Sequence, residues 1–117
     1  MQRGLLIATV ATTFVAGGAA VAHHGWGSYD ASRKMTIESS VSRLEWQNPH
    51  VHIAVNHDGG SWELVLAPPF RMGARGLSPE MIKVGTPVRA EGYPSTRVGR
   101  EMRAERISVA GKTFELR

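Results

Sequence analysis

The sequence predicts a small, mainly β domain, and three observations carry the prediction. Apolar and polar residues alternate with a period of two in several short segments after residue 35, as strands with one face in a core must. Glycine, proline, asparagine and aspartate punctuate those segments. The alternation breaks once, across "PPFRMGARG" and "SPEMIKVG", where proline-led, glycine-ended stretches suit short helical turns. Five strands with such an insert between the third and fourth describe an all-β fold in the main, a small closed or partly closed barrel of the OB type. A simple antiparallel sandwich is the other architecture that the same pattern allows.

The first element is not part of that fold. Arg3 precedes an uncharged run, "GLLIATVATTFVAGGAAVA", from Gly4 to Ala22. Basic, then apolar, then small residues ending Ala20-Val21-Ala22 is the order of a secretory signal peptide with an A-x-A cleavage site. Thr9, Thr12, Thr13 and two glycines dilute it below a membrane span, which needs about 20 solidly apolar residues. Gln2 and Gly4 flank Arg3, so there is no twin-arginine pair, and without cysteine no lipid anchor on an N-terminal cysteine exists. The expected organisation is a signal peptide over 1–22, an N-terminal arm over 23–34 and a barrel domain over 35–117. His23 then begins a periplasmic or secreted protein with no membrane span.

Within the arm, Trp26 and Tyr29 either line a ligand surface or dock the arm on the barrel as apolar anchors. In "MTIESSVSRLEWQ" the apolar face runs Ile37, Ser39, Val41 and then slips by one to Leu44 and Trp46, which predicts a β-bulge in a long bent strand. "QNP" makes a turn at Pro49. "HVHIAVNH" puts Val51, Ile53 and Val55 on the inner face, with His50 and His52 on the other. "DGG" is a hairpin signal, and "SWELVLA" turns Trp62, Leu64 and Leu66 inward. The insert runs from Pro68 to Gly85, with helical turns ended by Gly76 and a second start capped by Ser78 and led by Pro79. "TPVRAEGYP" resumes alternation on Val88, Ala90 and Gly92. "EMRAERISVAGKTFEL" is a last strand or hairpin through Ala110 and Gly111.

The charge balance is mild: 14 Lys and Arg against 10 Asp and Glu give +4, and one of those charges, Arg3, leaves with the signal peptide. No run of like charges and no nucleic-acid motif accompany it, so nucleic acid is not an expected partner. Arg97, Arg100, Arg103 and Arg106 are read as an exposed strip along a solvated edge, a candidate contact for another envelope protein. Glu38, Glu45, Glu63 and Glu91 fall on outer faces with no spacing that suggests acid–base work. Met72, Met81 and Met102 are read as core gap-fillers.

Histidine is the one residue type whose placement suggests chemistry. All five, His23, His24, His50, His52 and His57, lie early in the mature chain. An N-terminal His23 offers imidazole and α-amine, two nitrogens from one residue, and such ligands suit Cu(II), Ni(II) or Zn(II). His50 and His52 share a strand face, so an arm crossing it would gather His23, His24, His50 and His52 around one metal ion, copper before zinc. The bland reading has the same residues as solvated or turn-capping side chains.

"AHHGWGSYD", "LEWQNPHVHI", "WELVLAPPFRMGARGL" and "IKVGTPVRAEGYPS" resemble, in order, a family of small exported bacterial proteins (domain of unknown function family 6152). Its members start with Ala-His-His and carry an Asn-Pro-His turn after a Trp-containing strand. This chain departs at His52, where the family shows an aromatic, at Leu77 for Trp, and at Val84 for Pro. The resemblance implies export and a barrel, and no reaction. Two functions follow as expectations: a non-enzymatic module binding a divalent metal or small ligand, or an interaction protein of the envelope. Copper-dependent oxidation at an N-terminal histidine is a third.

Overall fold

The structure, a computed structural model, describes Gly4, Ala8, Thr9, Ala11 and residues 25–117. The cleavage boundary after Ala22 and both His23 and His24 lie outside the described residues. Six strands follow a 3-10 turn at Trp26–Ser28: β1 (Met35–Glu45), β2 (His52–His57), β3 (Gly60–Val65), β4 (Pro87–Pro94), β5 (Glu101–Val109) and β6 (Lys112–Glu115). One helix, α1 (Pro69–Ala74), and a 3-10 helix at Pro79–Ile82 separate β3 from β4.

The sheet runs β3-β2-β1-β4-β5-β6, and β3 also pairs with β5. That parallel pairing, Leu64 opposite Met102 and Val65 opposite Arg103, closes β1 to β5 into a barrel. Closure excludes the sandwich and removes the open edges of the five strands. β6 is an extra strand on β5, reached through Ala110 and Gly111, both at positive φ.

The alternation places the core as the sequence predicts. Val51, Ile53, Val55, Leu64 and Leu66 are fully buried, and Trp46 and Trp62 pack against them from partly buried positions. Each large apolar side chain so buried contributes roughly 1.5–3 kcal/mol. The bulge in β1 lies between Val41 and Arg43, and the Ser42 hydroxyl there donates to the Ala54 carbonyl (2.9 Å). The β2–β3 hairpin turns on Asp58 and Gly59 at φ 48° and 74°, the mirror-image turn that suits strand twist.

The insert is a plug for the barrel. Met72, Leu77 and Ile82 are at most 2% exposed and belong to the same core cluster. α1 stops at Gly76, where φ is 94°, and Leu77 N–H then donates to Met72 O (2.9 Å) while Gly76 N–H donates to Gly73 O (3.0 Å). Those two bonds satisfy the last helical carbonyls and tuck Leu77 against Met72. Ser78 precedes the second helical turn, with Pro79 first within it, but its side chain makes no capping bond.

The arginine strip needs correction. Arg103 is 5% exposed. Arg106 is tied to Glu91 (3.3 Å), Glu105 (3.6 Å) and Glu115 (3.0 Å). Arg97 and Arg100 alone of the four are exposed. The physical reason is that β5 has β3 and β4 as neighbours and is covered on both faces, Met102 by the barrel interior and Arg103 by the arm. The outer glutamates are ion-paired: Glu38 with Arg89 (3.2 Å), Glu45 with Arg43 (3.2 Å) and Glu91 with Arg89 (3.3 Å). Such exposed pairs contribute at most about 1 kcal/mol each.

Candidate functional site

The arm returns along the end of β4 before it enters β1. Tyr29 bridges Ser95, Asp30 N–H donates to Pro94 O (2.9 Å), and Thr96 N–H donates to Ser28 O (2.9 Å). Trp26 holds the arm down. Its ring meets Tyr93 edge-on at 6.2 Å and stacks with two guanidiniums, Arg103 at 4.6 Å and Arg117 at 4.5 Å. Of the two readings open for Trp26, this is the docking anchor, and Trp26 is not among the residues that line the cleft described next.

Between the arm, the Asn48–Pro49 turn and the start of β5 lies a half-open cleft of about 300 Å³. Tyr29, His50, His52, Arg97, Glu101 and Arg103 line it, with Ser28, Pro49, Val65, Ser95 and Val98. Three of the residues singled out in the sequence, Tyr29, His50 and His52, therefore meet in one place. The period of two puts both histidines outside the barrel, and the arm makes that outer face into a cleft.

Each side chain has a defined partner. His52 Nδ1 is 3.0 Å from Glu63 Oε1. A carboxylate only accepts, so this nitrogen carries the hydrogen and Nε2 is the acceptor. Arg43 also donates to Glu63 (2.7 Å) and holds it in place. Arg103 Nη2 donates to His50 Nε2 (3.3 Å), which makes Nδ1 the protonated nitrogen of His50. Tyr29 donates to Glu101 Oε2 (3.0 Å). His57 is elsewhere, near Asp58 (3.4 Å) and edge-on to Trp62. Among the described residues no three His, Asp or Glu side chains are grouped so as to hold a metal ion.

Burial pushes the Tyr29 hydroxyl up to about 12, with help from the Glu101 charge and hydrogen bond and against the pull of Arg103. Burial lowers Arg103 from its ordinary value; Tyr29 opposes that shift, while Arg71 and Arg117 add to it by repulsion. Because the folded Tyr29 value lies above the unfolded one, near 10, its contribution is complete below about pH 10 and is lost as pH rises toward about 12. Urea midpoints should therefore fall less steeply over that range in Tyr29→Phe than in the native protein. Parallel curves would show that Tyr29 titrates freely.

Arg103, Glu101 and Arg97 carry no local signal as site residues. Arg103 sits in "EMRAERISV", where the alternation says only that it opposes Met102. Its cover comes from residues far away in the chain.

The fold is similar to part of a solved structure, a crystal structure of TiaS in complex with a tRNA and ATP, with a TM-score of 0.51 and 15% identity over 76% of this chain. The chain spans 20% of that chain's length, and likeness at this identity concerns the fold alone. No curated protein matches the chain in sequence. Residues 11–103 match a family of unknown function (DUF6152), and the chain belongs to that family.

Proposed function

We propose that this protein is an exported, non-catalytic binding module of OB-like build, that the cleft is its ligand site, and that the ligand is a divalent cation, copper before zinc. The observation that carries the reading is that the arm itself forms one wall of the cleft which His50 and His52 line. Ser28 is in that wall, and His24 and His23 precede it by four and five residues. His52 supports the reading further. A metal-binding imidazole commonly gives its other N–H to a carboxylate, and Glu63 takes that position behind His52. Arg103 opposes a cation at His50 Nε2, so His52 and the arm carry most of the affinity.

Intact mass of protein from the envelope should place the N-terminus at His23; retention of Met1 would remove the arm's contribution. Adding one residue before His23 turns its α-amine into an amide, a far weaker ligand. Cu(II) affinity should fall by at least about tenfold, or roughly 1.4 kcal/mol. His52→Ala should weaken binding as well, and His57→Ala should not. Equal affinity of native and extended protein would mean adventitious binding and would favour the second reading, an envelope interaction protein. For that reading the supporting feature is Phe70 on α1, 87% exposed and followed by the exposed Arg71.

A further inference from the structure

We infer that the same cleft holds a small oxyanion, the carboxylate of a small organic acid or inorganic phosphate, on Arg103; the inference rests on the cleft being the ligand site. Arg103 lines the cleft although it is 5% exposed. Its Nη2 donates to His50, and Trp26 covers one face. Both partners are uncharged. Its Nε has no hydrogen-bond partner among the described residues. The other charges that act on it most are Arg71 and Arg117, of its own sign.

A buried cation is costly unless an anion and hydrogen bonds compensate it. Here no carboxylate among the described residues makes an ion pair with it, and the group faces a cleft. A guanidinium offers a planar fork that fits a carboxylate or phosphate with two parallel bonds. Arg97, exposed on the rim, adds a second positive charge. Ser95 Oγ accepts from the N–H groups of Arg97 (3.1 Å) and Val98 (3.0 Å), so its own hydroxyl hydrogen is what it can give to a ligand. About 300 Å³ is at the small end of ligand sites, which suits a few heavy atoms rather than a nucleotide. Glu101 lies in the same cleft and repels an anion, and this gives the proposal a signature of opposite sign.

The test is an NMR titration of the full mature protein, freed of metal on a chelating resin, with succinate and with inorganic phosphate at constant ionic strength. At least one probe should give saturable shifts at the Arg103 Nε–H and at the backbone of Ser95, and the better probe names the anion. Arg103→Gln should weaken it at least tenfold. Glu101→Gln, which keeps the acceptor for Tyr29 but drops the charge, should tighten it about threefold. Arg100→Gln, outside the cleft lining, should leave it unchanged. If Arg103→Gln does not fold, Arg97→Gln must weaken binding and Glu101→Gln must strengthen it. No saturation with either probe, or unchanged affinity in the Arg97 and Glu101 variants, overturns the inference. Because the protein is metal-free, loss of the copper reading leaves this outcome unaffected, and copper binding without oxyanion binding sinks this inference alone.

Discussion

Gly92→Ala is expected to cost at least about 3 kcal/mol, a large share of the total stability of a small domain, which is of order 5–15 kcal/mol. Gly92 is buried in β4, at the point where the register against β5 shifts between Glu91 and Gly92. A Cβ there would stand 1.9 Å from Arg103 O and 2.8 Å from Ala104 Cα. Both atoms are backbone, so no side chain can swing aside; relief requires β4 and β5 to separate. β5 is also the strand that closes the barrel through β3, so the displacement would propagate into the closure. Gly73→Ala in α1 is the matched control. Nothing lies within 4 Å of its added methyl, so it should be neutral or stabilise by up to about 1 kcal/mol. Urea midpoints of the two variants decide the matter. A Gly92→Ala protein as stable as the native one would mean that the two strands are not as close as described.

Ile82→Ala should cost about 2–5 kcal/mol, as expected when a fully buried aliphatic side chain leaves a cavity. Ile82 is fully buried although it sits in a four-residue 3-10 helix, Pro79–Ile82, with little backbone bonding of its own. The helix is held by what Ile82 touches, because it packs toward β1 and its chain then ties back: Gly85 N–H donates to Val41 O (2.7 Å) and Val41 N–H donates to Thr86 O (2.9 Å). Were the insert a surface decoration, the substitution would stay within about 0.5 kcal/mol, as is expected for Val84→Ala two residues on, where the side chain is 61% exposed. Thermal unfolding of both variants separates the plug from the decoration.

Local patterns in the chain were enough for the strands, the bulge after Val41, the hairpin at Asp58-Gly59 and the insert between the third and fourth strands. Each of these is set by residues close in sequence: a period of two, a turn that needs positive φ, a proline start and a glycine stop. The outward register of His50 and His52 was legible for the same reason, since one buried valine or isoleucine on either side fixes the face. Arg103 was misread because its neighbours in sequence look like those of any surface strand residue.

By itself the sequence determined the class of fold and the inner faces of its strands. Only the tertiary structure decided that β3 and β5 run side by side in parallel, and that Tyr29 donates to Glu101 from 72 positions away. Both are long-range pairings that leave no periodic trace in either segment. The burial of Arg103 follows from them, because the charge of a guanidinium says nothing about whether a tryptophan from another part of the chain will lie across it.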